Sequence, residues 1–455
     1  MIATTDPATG ETLARFAVHS PAEIDARLDG ALRAQAAWRW MPADARAALL
    51  PRLAALLRAE KAVLAALITT EMGKPIGEAT AEVEKCALNC DFYAEHAPAM
   101  LADAPVAAVP GATLAFEPLG VILAIMPWNY PLWQVIRFLA PALAAGNGAI
   151  LKHAANVPQS ALALERLVAE AGFPEGLFAN LFVEPAGVAG VIADPRIAGV
   201  TLTGSTEVGA IVAGQAVAAL KKQVLELGGS DPFVVLADAD LDRAARVAVT
   251  ARFTNAGQSC VNAKRFIVEA RVADAFAERF LAGIAELRMG DPRDAATTLG
   301  PLARGNLRAA IDGQVRRSVA AGARLCAGGT MPESAGFYYP ATLLDHVAPG
   351  MAAFDEETFG PAAVIVRAAD AEDAIALANR TAFGLGASVW TADADRGRAL
   401  ARRIDAGAVF INAMVASDPR VPFGGIKPPG YRRELGEAGL KEFTNMKTIR
   451  MADAA

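Results

Sequence analysis

Histidine and cysteine are both scarce in this chain, with four of each in 455 residues. His19, His96, His153 and His346 are scattered, and no cysteine pair stands near them at zinc-ligand spacing, so no metal is expected. Cys86, Cys90, Cys260 and Cys326 are too few in so long a chain to be a disulfide framework, which points to a reducing, cytoplasmic setting. Lysine and arginine form no block and the net charge is -6, so nucleic acid is not an expected partner. The start, MIATTDPATGETLARF, has no cationic patch ahead of an apolar run and does not read as a signal peptide. The most apolar stretch, Gly120 to Leu151, is broken by Pro127, Asn129, Pro131, Arg137 and Pro141, which argues against a membrane span. Neither G-x-G-x-x-G nor the P-loop pattern occurs, so the common nucleotide fingerprints are missing.

Hydrophobic residues make up 54% of the chain and charged residues 20%, the balance of a packed enzyme rather than a disordered chain. The length exceeds one ordinary core and predicts two or three domains. Residues 23–70 read as two helices with an apolar stripe at three-and-four spacing, Asp44 serving as a cap. A further helix follows, with Cys86 and Cys90 on one face as core residues. PVAAVPGATLAFEPLG, residues 105–120, reads as a hairpin around its Pro-Gly turn. From 119 to 228 apolar strands alternate with helices, and from about 231 a second alternating set runs to GAVFINA. Such alternation predicts doubly wound parallel sheets, an α/β fold.

Several short segments carry chemistry. TNAGQSC ends on Cys260, which is either buried filler or a nucleophile. LTGSTEVG puts Gly204 and Ser205 between a strand and a helix, where free N–H groups favour an anion such as diphosphate; a plain capped helix is the alternative. Glu226, in LELGG, ends an apolar strand, as a base or as a carboxylate at the sheet rim. PWNYP holds Asn129 between two prolines, as an oxyanion donor or as part of a structural turn.

PWNYP, LKHAAN, TGSTEVG, LELGGSDP, GQSC, EETFGP, GLGASVW, INA and PFGGIKPPGYRRELG occur together in one order. That ordered set resembles the NAD(P)-dependent aldehyde dehydrogenases over essentially the whole chain. The resemblance implies a Rossmann-like cofactor domain (1–99 and 119–228), an α/β catalytic domain (229–428) and a β oligomerisation element (100–118 and 429–455). It makes Cys260 the nucleophile, Asn129 an oxyanion donor and Glu226 the base that activates water. It assigns Trp128, Lys152, Gly204, Ser205, Glu357 and Phe359 to the cofactor. NAD-preferring members often carry Glu three residues after that lysine; here Ala155 stands there, which leaves NADP open and tilts NAD(P) towards NADP. The expected partners are a small-molecule aldehyde and further copies of the chain, as a homodimer or homotetramer, with no membrane.

Arg137 stands where succinate-semialdehyde dehydrogenases carry a carboxylate-binding arginine, and an arginine in so apolar a run calls for an anion. Arg420, before the PFGG loop, is the second candidate. Thr254 departs from the arginine that many such enzymes carry there, and Arg432 stands where glycine is usual. Oxidation of succinate semialdehyde to succinate is the leading expectation. The rivals are a broad-specificity dehydrogenase of uncharged aldehydes, in which Arg137 is structural, a cysteine hydrolase, which lacks a motif histidine, and a catalytically silent protein on this fold.

Overall fold

The structure, a computed structural model, describes residues 1–451. Five apolar segments pair in parallel into one sheet: Val121–Met126, Gly148–His153, Phe178–Asn180, Ile197–Thr203 and Lys222–Glu226. All six residues of Val121–Met126 are buried, as a strand covered on both faces requires, and that is why it reads as an unbroken apolar run. Helices Trp133–Ala144, Pro158–Glu170, Val188–Ala193 and Thr206–Ala218 make the crossovers. Numbered along the chain, the strands lie in the order 3-2-1-4-5. The order reverses between Val121–Met126 and Ile197–Thr203, and a crevice opens beyond the carboxyl ends of strands at such a reversal. A sixth, antiparallel strand, Gly430–Tyr431, closes this sheet against Lys222–Glu226.

A second sheet has seven strands, in the order Arg324–Ala327, Thr342–Asp345, Ala362–Ala368, Ala263–Glu269, Asp231–Val235, Gly386–Trp390 and Ala408–Ile411. Only Arg324–Ala327 runs antiparallel to its neighbour among the described strands. A third sheet joins distant parts of the chain. Thr444–Arg450 pairs along the whole of Ala112–Pro118, whose other edge meets Ala104–Pro105. Residues 452–455 of the expected oligomerisation element lie outside the described residues.

The amino-terminal part departs from expectation. Residues 23–70 hold four helical segments, not two: Pro21–Trp38, Ala43–Ala47, Leu50–Ala59 and Lys61–Met72. Pro51 is the cause of one break, because proline fits only the first turn of a helix. Asp44 lies inside the first turn of its helix and does not cap it; Pro42 holds the cap position. The hairpin Ile2–Thr5 with Thr12–Phe16 was not expected; it is short, and Thr4 is the one buried residue of its two strands.

The structure supplies a physical account of Arg432. Its φ is 74°, in the left-handed region that glycine occupies without strain. A non-glycine residue there costs about 1–2 kcal/mol. Arg432→Gly is therefore expected to stabilise the protein by about 1 kcal/mol. A rise in the urea midpoint at unchanged slope would check this; no rise would mean that the arginine side chain offsets its own strain.

Candidate active site

Cys260 follows three successive residues in the left-handed region, Asn255 (φ 57°), Ala256 (φ 51°) and Gly257 (φ 72°). Such a run is held only where its surroundings over-determine it. Here Asn255 N–H donates to Glu78 Oε2 at 2.7 Å, and Asn255 Nδ2 donates to the carbonyls of Asn129 (2.8 Å) and Gln258 (3.1 Å). Gln258 Nε2 donates back to the Asn255 carbonyl, and Ala303 N–H donates to Gln258 Oε1. Beyond the cysteine the chain enters the strand Ala263–Glu269. Buried Lys264 reaches back from it to donate to the carbonyls of Ser259 (3.2 Å) and Cys260 (3.0 Å). The thiol is thus presented by a loop clamped from both sides.

Two cavities share Cys260 and no other lining residue. The larger, about 390 Å³, opens at the strand-order reversal. Trp128, Asn129, Lys152, Gly204, Ser205, Glu357 and Phe359 all line it. Ser205 caps the helix Thr206–Ala218, accepting from Val208 N–H, so a helix N-terminus faces this end. Glu357 accepts from Gly229 N–H at 2.9 Å and pairs with Lys264 at 3.5 Å. A Cβ on Gly228 would lie 2.4 Å from Glu357 Oε2, so that approach requires glycine. Lys152 and Arg304 have no carboxylate within 4.0 Å among the described residues, and burial holds both below their ordinary pKa. The Arg304 guanidinium lies over the Trp128 ring, which meets Phe359 edge-on at 5.8 Å. The donor set fits a dinucleotide: unpaired cations and a helix N-terminus for its phosphates, a fixed carboxylate for a ribose, aromatic walls for a flat ring.

The smaller cavity, about 210 Å³, is walled by Trp133, Val415 and Phe423 among others, with Lys85, Arg137 and Thr254. Asn129 Nδ2 donates to the Gln258 carbonyl at 3.0 Å, which leaves the second N–H of that amide. Arg137 is 2% exposed; its Nε sits against Glu434 as an ion pair, and its Nη2 donates to Thr203 Oγ1 at 3.2 Å. Glu226 lines neither cavity. It is buried beside Glu434, with neither carboxylate oxygen hydrogen-bonded. Burial, and then the Glu434 charge, push it well above the usual carboxylate range. Burial likewise pushes the Cys260 thiol up to about 11, with Arg137 and Lys264 pulling it the other way.

The aldehyde dehydrogenase family model matches residues 1–449. The chain belongs to the aldehyde dehydrogenase family. It is 50% identical over 445 residues to the succinate semialdehyde dehydrogenase (NAD(P)+) Sad of Escherichia coli, covering 98% of this chain and 96% of that one. It is 48% identical over 455 residues to succinate-semialdehyde dehydrogenase (NADP(+)) 1 of Mycobacterium tuberculosis, covering 99% and 100%. Among solved structures, succinic semialdehyde dehydrogenase from Streptococcus pyogenes in complex with NADP+ superposes with a TM-score of 0.97 at 37% identity, over all of both chains.

Besides Glu226, two of the residues singled out by sequence stand away from both cavities in this aldehyde dehydrogenase. Arg420 is not brought to either cavity. Its side chain is 75% exposed and its guanidinium is taken by Asp418, two residues before it, at 2.9 and 2.6 Å. Ala155 is exposed, and its neighbour Ala154 lines the larger cavity instead. Four charged residues at the site went unread in the sequence: Lys85, Lys264, Arg304 and Glu434. Glu434 lies inside the YRRELG stretch and Lys264 opens an apolar strand, so each had a signal. Lys85 sits in an ordinary helical stretch and Arg304 in extended backbone just before the helix Gly305–Ala320, and neither had one.

Proposed function

We propose that this aldehyde dehydrogenase oxidises succinate semialdehyde to succinate, with NADP preferred over NAD. The observation that carries the reading is Cys260 at the junction of two cavities, one walled by Lys85 and Arg137, the other by Lys152 and Arg304. The names of the relatives agree with it. At Ala155 no acid stands to repel a 2′-phosphate, and Lys152 is a cation without a carboxylate partner close by.

The Cys260 sulfur, once deprotonated, attacks the aldehyde carbon. The free N–H of the Asn129 amide and the Cys260 backbone N–H hold the oxygen as it becomes negative, each such donor contributing about 3–4 kcal/mol. Bound NADP would supply the acceptor for the hydride of this carbon. A thioester is then left on Cys260. Glu226 rotates out of its seat beside Glu434 and takes a proton from the water that attacks the thioester. The acid departs and the thiol is restored. Lys152 and Ser205 would hold the adenosine ribose and diphosphate, Glu357 the nicotinamide ribose, with Gly204, Trp128 and Phe359 lining the cleft.

A second reading, a dehydrogenase of uncharged aldehydes, draws on one observation: Arg137 already has Glu434 as counter-ion. Reduced-cofactor formation with succinate semialdehyde and butanal, using NADP and NAD in parallel, separates the two. The semialdehyde with NADP is expected to lead in kcat/KM by about two orders of magnitude over butanal, since a site built for a polar group rejects the analogue that lacks it. Equal values would favour the generalist.

We also infer a homodimer or homotetramer in the cytoplasm. Among the described residues the strand Thr444–Arg450 lies at the edge of its sheet and exposes Met446 and Ile449, while the helix Thr206–Ala218 exposes Val208, Ile211 and Val217. All four cysteines are unpaired, as a reducing compartment would keep them. A monomeric mass by light scattering at micromolar concentration would contradict the assembly.

A further inference from the structure

Two cations wall the cavity that leads to Cys260, and they differ in one respect. Arg137 is neutralised, with Glu434 against its Nε. Lys85, on the helix Ile76–Met100, has no carboxylate oxygen within 4.0 Å among the described residues. Its ammonium donates to Ser417 Oγ at 2.8 Å and lies 4.2 Å from the centre of the Trp133 ring. The acids whose charges reach it are already engaged. Glu82 is held by Lys74 and by the N–H groups of Leu132 and Trp133. Asp418 is held by Arg420 through its backbone N–H, Nε and Nη2. A largely enclosed ammonium without a counter-ion is unfavourable, and it has three N–H donors of which Ser417 takes one. Much of the surrounding wall is apolar: Trp133, Val261, Met414, Val415 and Phe423. An aldehyde bearing a carboxylate at its far end would bring the missing anion.

We infer that Lys85, with Ser417 beside it, is the group that binds the carboxylate of the substrate, while Arg137 serves as a structural ion pair with Glu434. This rests on the proposed succinate semialdehyde reading and names the residue that would carry its specificity.

The test compares succinate semialdehyde with butanal, both with NADP, in the full-length wild type and in Lys85→Met and Lys85→Arg. The ratio of their kcat/KM values is read, so that effects common to the chemical step cancel. Lys85→Met is expected to lower the ratio about 10²-fold, chiefly through KM for the semialdehyde, and Lys85→Arg to restore most of it. A wild type that prefers the semialdehyde, with Lys85→Met keeping that preference, overturns the assignment of Lys85 alone. A wild type indifferent to the carboxylate overturns the substrate reading together with it.

A second measurement needs no variant. Burial and the Arg137 charge push the Lys85 ammonium down to about 8, against the opposing pull of Cys86, Glu82 and Asp418. The ammonium is charged below that pH and neutral above it. Succinate is therefore expected to inhibit butanal oxidation competitively at pH 7, and to lose about tenfold in affinity as the pH rises through 8 to 9. Inhibition that stays constant across this range overturns the inference.

Discussion

Glu226→Gln is expected to release close to one equivalent of reduced cofactor per active site and then to stall. Attack by Cys260 and loss of hydride do not need this carboxylate; breaking the thioester with water does. Removing a general base costs about 10²–10⁴-fold in the step that it serves, so steady turnover should fall by that factor while the first turnover survives. The geometry gives the wild type a matching pH signature. Burial and the Glu434 charge raise the Glu226 carboxyl well above the usual range, so it is protonated, and inactive as a base, at pH values where an ordinary glutamate would already be ionised. Steady turnover should therefore rise with pH along a limb displaced upward, and that limb should vanish in Glu226→Gln. Rapid mixing reads both phases in one trace. A burst followed by normal turnover would remove Glu226 from the mechanism. The seat in which it now rests is narrow: a Cβ on Gly424 would lie 2.5 Å from Glu226 Oε1.

Gly257→Ala is expected to have the larger effect on stability. Gly257 has φ +72°, and a Cβ there would lie 2.2 Å from the backbone carbonyl oxygen of Gly360. The left-handed backbone costs about 1–2 kcal/mol for a non-glycine residue, and overpacking against a fixed backbone atom adds about 1–3 kcal/mol. The sum, about 2–5 kcal/mol, is a large part of the stability of an ordinary domain. Relief by a shift of the loop would carry Cys260 with it, since Asn255, Gln258 and Lys264 tie the segment together. Activity should be lost even where the variant still folds. Denaturant unfolding and the rate of thiol labelling at Cys260 separate the two losses. A midpoint and a labelling rate like those of the wild type would mean that the loop yields far more easily than its contacts imply.

The two parallel sheets were legible because their strands, covered on both faces, read as continuous apolar runs such as GVILAIM, while the crossovers carry a helical period. The breaks within residues 23–70 were less so, because the apolar stripe runs straight through Pro51 and Glu60 and hides the ends of short helices. Cys260 was legible through its motif, whereas the way it is presented was not: asparagine visits the left-handed region readily, but nothing in the letter Ala256 signals it. Arg137 was rightly marked as needing an anion. Its partner Glu434 lies nearly 300 residues away along the chain, and only folding brings the two together. Arg420 misled for the opposite reason, since a carboxylate two residues away satisfies it locally. Lys85 escaped notice because a lysine among glutamates on a helix looks like a solvated face, and only the fold turns it towards a cavity.

The two cavities touch the reacting sulfur and share nothing else. On the proposed reading this amounts to separate doors. Neither visitor stands in the other's corridor, so the three-body complex can assemble in either sequence. The finished acid can depart while the nucleotide stays in place, or the reverse. Exit of one product then sets no queue for the other.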